Sequence, residues 1–206
     1  MPSGHTSAVI LASGSRSRAA MLSASGLDIQ IQPADLDETS VKDACRDQGK
    51  SVDFVAARLA REKAAAISAT NEDVYVIGAD QMLDCDGQWF DKPPDLEAAA
   101  ESLIKLRGRS HDLVTSASIV RNGEEVWRLT DRATLHMRDF SDRFLDQYLS
   151  DVGELALTSV GAYQLEGRGA QLFERIEGDY FTILGLPLLP LLSLSLIHIS
   201  EPTRRS

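Results

Sequence analysis

Apolar runs typical of buried strands alternate with segments of helical periodicity, and this alternation limits the fold more than any other feature of the sequence. Two dipeptides typical of tight hairpins, Asp86-Gly87 and Asn122-Gly123, lie between strand-like segments. Helices placed between strands favour parallel pairing, whereas a hairpin joins antiparallel neighbours. The sequence therefore predicts an α/β fold around a mixed sheet.

The predicted elements cover most of the first 194 residues. We expect helices at 18–26, 52–67 (with Ser51 as N-cap), 95–106 and 141–149, and a last helix that begins at a proline. We expect strands at residues 8–12, 29–31, 74–77, 113–120, 124–137, 159–173 (broken by glycines) and 181–187, with a hairpin within 82–90.

Residues 195–206 do not continue the helical periodicity and resemble a translated sequencing-adaptor tail. We therefore predict one folding unit with two lobes over residues 1–194, followed by a tail. A natural extension and an assembly artefact are equal alternatives for that tail.

Charge and cysteine content exclude several classes of protein. The formal net charge of −10 argues against nucleic acid or an anionic membrane as partner, although a local basic pocket can still hold a small anion. Cys45 and Cys85 are isolated and show no zinc-ligand spacing, as in proteins of the reducing cytoplasm. The apolar run at 183–199 is short for a membrane span and is interrupted by prolines and serines.

A polar turn follows the first apolar run. Ser13, Ser15 and Arg18 lie where a strand leads into a helix, and free N–H groups at a helix N-terminus favour phosphate. Serine hydroxyls and a forked arginine can add donors. The alternative is a serine that caps the helix and an arginine in solvent. The GK[ST] of a P-loop is absent.

Carboxylates and lysines recur in the next segments. Asp37 and Glu38, at a predicted strand end, are either ligands of Mg²⁺ or solvated. Lys63 lies on the apolar stripe of its helix, where it either reaches a pocket or extends past the core. Asp80 follows an apolar strand and Lys92 lies in a proline-stiffened loop, which suits metal-assisted phosphoryl chemistry or a solvated hairpin.

The remaining candidates are weaker. Glu166 lies in a glycine-rich segment, where a structural role is the ordinary one. None of the four histidines has a neighbour in sequence that suggests a nucleophilic triad, so we expect no nucleophilic catalysis.

Taken together, the motifs resemble those of one family, the Maf-like nucleotide pyrophosphatases. The resemblance runs from about residue 8 to 194, in the order VILASGSRSRAAML, ARLAREKA, VIGADQMLDCDG with DKP, LRGRSHDLVT, and SVGAYQLEGRGAQLFERIEGDYFTILGLPL. It implies a two-lobed α/β fold like that of Maf and ITPase proteins, with an elongated mixed sheet and a central substrate cleft.

The resemblance also implies a reaction, the hydrolysis of a nucleoside triphosphate to the monophosphate and pyrophosphate with Mg²⁺ or Mn²⁺. A nucleotide is then the small-molecule partner, and the oligomeric state, with a homodimer as one candidate, stays open. The implied roles are phosphate binding by Ser13, Ser15 and Arg18, metal binding by Glu38 and Asp80 (Asp80 also as base), and charge stabilisation by Lys63 and Lys92.

Three positions bear on the choice of base. Gln81 and Glu166 resemble the branch that acts on 7-methyl-GTP, whose cationic base and N–H donors suit a carboxylate. The usual SPRR or SPWR run is SRSR here, so Arg16 replaces a proline and Ser17 replaces the base-selecting residue. Alternatives to a house-cleaning 7-methyl-GTP pyrophosphatase are a dTTP/UTP-type enzyme and a non-catalytic regulator of cell division and septum formation.

Overall fold

The computed structural model describes residues 9–198, and the side chains of residues 9–194. Most of the predicted tail at 195–206 lies outside the described residues, and its origin stays a prediction. Within residues 9–198, no helix has both the length and the apolar character needed to cross a membrane.

The strands of the described chain form one mixed sheet. The strand order is β2-β1-β3-β5-β6-β7, and β4 pairs with β3. Strand β1 is parallel to both β2 and β3, whereas β3–β4 and β6–β7 are antiparallel. The predicted α/β fold with a mixed sheet is confirmed. The strands are β1 (Val9–Leu11), β2 (Ile29–Ile31), β3 (Tyr75–Cys85), β4 (Gln88–Phe90), β5 (Ser110–Arg121), β6 (Glu124–Met137) and β7 (Phe173–Glu177).

Side-chain caps define where most of the helices begin. Ser51, as predicted, accepts a hydrogen bond from the backbone N–H of Phe54, and Ser141 caps its helix in the same way. The helices are α1 (Arg16–Ala24), α2 (Glu38–Asp47), α3 (Val52–Ser68), α4 (Leu96–Leu106), α5 (Asp142–Val152), α6 (Tyr180–Ile183) and α7 (Leu188–His198), with 3₁₀ turns at Gly153–Thr158 and Arg168–Leu172.

The glycine-rich segment at 159–173 is not a strand, contrary to the prediction. It forms turns and a 3₁₀ helix, and only Phe173 belongs to β7. A Cβ on Gly169 would lie 2.4 Å from the carbonyl oxygen of Gln164, so the chain folds back on itself here. Ala162 also has a positive φ of 59°, which an extended strand does not allow.

The prediction of a strand at 181–187 is also wrong, because this segment contains α6. The side chain of Asp179 accepts hydrogen bonds from the N–H groups of Phe181 and Thr182 and so starts a helix. Gly185, with a φ of +99°, then turns the chain towards α7. The prediction that a proline opens the last helix is confirmed, since Leu191 N–H donates to the Pro187 carbonyl.

Two compact units share the chain. The described part of the first contains residues 9–80, Thr115–Asp131 and 185–198, and the second contains Gln81–Val114 and Arg132–Leu184. In the first unit, one core cluster joins β1, α3, β3 and β5 through Ile10, Ala12, Ala64, Ile67, Val76 and Val120.

The second unit has an apolar core with one buried histidine. His111 is 2% exposed, and its Nε2 lies 2.7 Å from the Tyr163 hydroxyl oxygen. Phe173 packs against both rings. Burial lowers the pKa of His111 from 6.5 to about 4, despite the opposing charge of Asp112. The imidazole is therefore neutral in the folded protein near pH 7.

We expect this histidine to make the fold acid-sensitive. Between pH 6.5 and pH 4 the unfolded chain binds a proton that the folded protein excludes, so stability falls as the pH falls through that window. From pH 7.5 to 4.5 this loss is on the order of 2 kcal/mol, and His111→Gln should remove it. The free energy of unfolding, measured with urea at both pH values, tests this. His136→Gln, at a less buried histidine, is the control. An unchanged pH dependence in His111→Gln would contradict the assignment.

Candidate active site

The turn after β1 is organised by a buried arginine. Arg18 is 8% exposed and donates from Nε to the Gly185 carbonyl (2.7 Å) and from Nη1 to Ser13 Oγ and the Ala79 carbonyl (both 2.9 Å). Within the described chain, the N–H groups of Nη2 are the ones that this network leaves for a ligand. Burial lowers the pKa of Arg18, while the charges of Asp80 and Glu38 oppose that shift.

The capping alternative for this turn is met in part, whereas phosphate binding by the turn stays a prediction. Ser15 caps α1, since its hydroxyl accepts from the N–H of Arg18 at 3.4 Å, and Ser13 Oγ accepts from the N–H of Ser15 at 3.3 Å. Arg18, however, is not in solvent as the capping alternative expects. The turn therefore caps a helix and also holds a buried cation beside two carboxylates.

Lys63 joins those two carboxylates. Its Nζ lies 2.7 Å from Asp80 Oδ1 and 2.8 Å from Glu38 Oε1. Lys63 and Asp80 are 8% and 5% exposed, whereas the Glu38 side chain is 41% exposed. Lys63 thus contacts two carboxylates, and the pocket expected at this position stays a prediction.

The position of Asp80 differs from the prediction. Asp80 lies in the middle of β3 and not after its end, because Met82, Leu83 and Cys85 continue the strand with buried side chains. The register pairs Leu11 with Ile77, so β3 extends past the carboxyl end of β1. Asp80 thus lies where β1 has already turned away, close to the turn that Arg18 organises.

Glu38 also differs from the prediction, since it begins α2 instead of ending a strand. Asp37 is the N-cap of this helix and accepts from the N–H of Ser40 at 3.0 Å. Burial raises the pKa of Glu38, but the charge and hydrogen bond of Lys63, with the charges of Lys42 and Arg18, bring it below its ordinary value. Glu38 is therefore ionised near neutral pH.

A model of the Maf-like protein family matches residues 8–195. This chain belongs to the Maf-like family. It is 52% identical over 184 residues to a nucleoside triphosphate pyrophosphatase of Granulibacter bethesdensis, which covers 89% of this chain and 93% of that protein. It is 50% identical over 185 residues to a 7-methyl-GTP pyrophosphatase of Rhizobium meliloti (90% and 93%) and 48% identical over 188 residues to one of Mesorhizobium japonicum (91% and 94%).

The other residues that the Maf-like resemblance selects lie in different surroundings. Ser17 is half-buried in the first turn of α1 in the first unit. Gln81, in the second unit, donates from Nε2 to the carbonyls of Thr182 and Ile183, both at 3.0 Å. Lys92, before α4, and Glu166, between the two 3₁₀ turns, are exposed residues of the second unit. Their proposed roles remain predictions.

The arrangement of Glu38 and Asp80 fits a hard divalent cation. Asp80 Oδ2 is buried and has no hydrogen-bond partner among the described residues. Among the side chains of residues 9–194, no group of three or more His, Cys, Asp or Glu could enclose a metal ion. Mg²⁺ is commonly held by one or two carboxylates together with waters and substrate phosphates. Glu38 and Asp80 offer the two carboxylates of such a donor set.

One cluster in the second unit could not be found from sequence. Ser110 Oγ lies 2.7 Å from His136 Nδ1, and His136 Nε2 lies 3.3 Å from Glu177 Oε1. These residue types occur in nucleophilic triads, and they are 26 and 41 residues apart in the chain. However, Nε2 is not aligned for a hydrogen bond with Glu177, whose carboxylate also pairs with Arg175. The contacts therefore describe a cross-strand polar row.

A glycine on β3 sets the approach of α3 that brings Lys63 to Asp80. A Cβ on Gly78 would lie 2.0 Å from the Ala60 carbonyl oxygen and 2.7 Å from the Ala64 backbone nitrogen. Both atoms belong to the backbone of α3, so they cannot rotate away.

We expect Gly78→Ala to destabilise the protein by about 2 kcal/mol or more, because strand and helix must separate. Gly14→Ala is the matched control, since its Cβ would meet only Pro33 at 3.7 Å, and we expect a change within about 0.5 kcal/mol. Urea unfolding measures both. Similar stability of Gly78→Ala and wild type would show that α3 does not need this close contact.

Proposed function

We propose that the protein hydrolyses a nucleoside triphosphate to the monophosphate and pyrophosphate, and that its substrate is a modified guanine nucleotide such as 7-methyl-GTP. One observation carries the proposal, namely the contact of Lys63 with Glu38 and Asp80 beside the turn held by Arg18. The names of the relatives support the reaction class, and several of them support the 7-methyl-GTP branch.

Binding of the phosphate chain is the first requirement of this reaction. Ser13 Oγ is fixed by Arg18, and the two N–H groups of Arg18 Nη2 can donate charge-assisted hydrogen bonds to phosphate oxygens. The N-terminus of α1 adds a partial positive charge at the same turn. We assign the triphosphate to this turn for those reasons.

Attack on the phosphorus atom needs a base and positive charge near the transferred group. Asp80 offers a buried carboxylate that can accept a proton from the attacking water. Lys63 is a compact charge that can stabilise negative charge developing on the phosphate oxygens. Lys92 is assigned the same task by the family resemblance alone.

The proposal includes Mg²⁺ or Mn²⁺ held by Glu38 and Asp80. When bound, such an ion neutralises phosphate charge and lowers the pKa of coordinated water. Glu38 contributes an ionised carboxylate that is partly open to solvent, and the side chain that Asp80 contributes is buried. The protein thus supplies two anionic ligands, and the nucleotide supplies the others.

We place the protein in the cytoplasm, away from nucleic acid. Cys45 and Cys85 are buried free thiols, as expected for a reducing compartment. The formal net charge of −10 opposes binding to a polyanionic backbone.

Asp80→Asn tests the reaction. We expect pyrophosphate release from a panel of nucleoside triphosphates with Mg²⁺ or Mn²⁺ to fall by about 100-fold or more, since the amide cannot accept the proton. Asp84→Asn, a matched change further along β3, should leave the rate near that of the wild type. No release from any nucleotide by the wild type, or equal rates for wild type and Asp80→Asn, would contradict the proposal.

Glu166→Gln tests the choice of base. A carboxylate favours the cationic 7-methylguanine base and its N–H donors, so kcat/KM should fall about tenfold more for 7-methyl-GTP than for UTP. Glu174→Gln, an exposed glutamate of the same unit, serves as control. Equal losses with both substrates would argue for a general role of Glu166 and against the 7-methyl-GTP branch.

A further inference from the structure

Lys63 contacts both carboxylates to which the metal is assigned. Its ammonium lies within 2.8 Å of one oxygen of Glu38 and one of Asp80, and the residue is 8% exposed. The lysine ammonium and a divalent cation would therefore bind to the same two carboxylates.

We propose that Lys63 competes with the divalent cation for Glu38 and Asp80, so that the protein without nucleotide holds metal weakly. The proposal rests on the proposed function, because it takes the Glu38–Asp80 pair as the metal ligands. It adds that Lys63 is an internal counter-ion for that pair, in addition to its assigned role towards phosphate.

Charge balance is the first argument. Counted formally, one lysine and two carboxylates have a net charge of about −1, and the two carboxylates without the lysine have about −2. A dication bound to the pair would also lie close to the ammonium, and like charges at such separations repel strongly in a buried site. The lysine thus lowers the affinity of the pair for metal.

The occupied oxygens are the second argument. Lys63 takes Asp80 Oδ1 and Glu38 Oε1, so a cation meets carboxylates whose negative charge is already partly neutralised. Mg²⁺ gives up its own waters reluctantly and needs strong anionic ligands to do so. Asp80 Oδ2 stays buried without a partner among the described residues, which marks the direction that remains for a second cation.

Binding of the nucleotide would release the carboxylates from Lys63. A lysine has a flexible stem and a compact charge, so its ammonium can move from a carboxylate to a phosphate oxygen. That movement leaves both carboxylates available to bind the metal. The metal and the polyphosphate then each raise the affinity of the protein for the other. The metal would therefore enter together with the anion that needs it.

The opposite role for Lys63 makes the opposite prediction. If the lysine only held the two carboxylates together for the metal, its removal would let them separate and would weaken metal binding. The sign of the change therefore decides between competitor and organiser.

The test is Mn²⁺ binding to the nucleotide-free protein, followed by electron paramagnetic resonance of free Mn²⁺. We expect Lys63→Met to bind Mn²⁺ about tenfold more tightly than wild type or more, because a repelling charge is removed. Lys42→Met is the matched control, because it also removes one lysine charge that acts on Glu38. We expect it to change the Mn²⁺ affinity about threefold or less. The gain should disappear when Asp80→Asn is combined with Lys63→Met.

Equal or weaker Mn²⁺ binding by Lys63→Met would overturn the proposal, as would an equal gain in Lys42→Met. Circular dichroism checks the folding of each variant. If Lys63→Met does not fold, Lys63→Gln should show the same gain, and Lys63→Arg, which keeps the charge, should bind Mn²⁺ as weakly as wild type. These measurements contain no nucleotide, so the absence of pyrophosphate release in the earlier assay would count against the proposed function alone.

Discussion

The candidate site depends on one buried interaction, the lysine ammonium shared by two carboxylates. Removing Lys63 and Asp80 from water is costly, and a buried ion pair often adds little net stability for that reason. A site of this kind is more easily explained by the chemistry it permits than by the fold it stabilises. Arg18 follows the same pattern, because three of its N–H groups, on Nε and Nη1, hold backbone and side-chain oxygens in place while its third nitrogen, Nη2, stays available.

Backbone packing makes that interaction possible. Gly78 lets α3 approach β3, and the register of β1 against β3 carries Asp80 past the point where β1 ends. The first turn of α2 then brings Glu38 to the same ammonium. Each of these features sets a distance between secondary-structure elements. Those distances bring the ammonium and the two carboxylates into contact. The polar site of the first unit therefore lies where a strand and a helix are in close backbone contact.

Sequence patterns predicted the parts of the fold that local chemistry controls. Ser51 as an N-cap, the Asn122-Gly123 hairpin and the long α3 helix were all predictable, because capping and turn geometry act within a few residues. The segments at 159–173 and 181–187 were predicted wrongly as strands. Their apolar residues pack as turns and short helices, and close backbone contacts of the kind made by Gly169 have no signal in hydrophobic periodicity.

The sequence by itself determined the α/β class, the membership in the Maf-like family and the residue types of the candidate site, because motifs and periodicity are local properties. Only the tertiary structure decided that Lys63 contacts both Glu38 and Asp80, that Arg18 is buried, and that Asp80 lies inside a strand. These facts depend on strand register and on the approach of helix to strand. Both are set by packing between segments far apart in the chain, so no short stretch of sequence contains them.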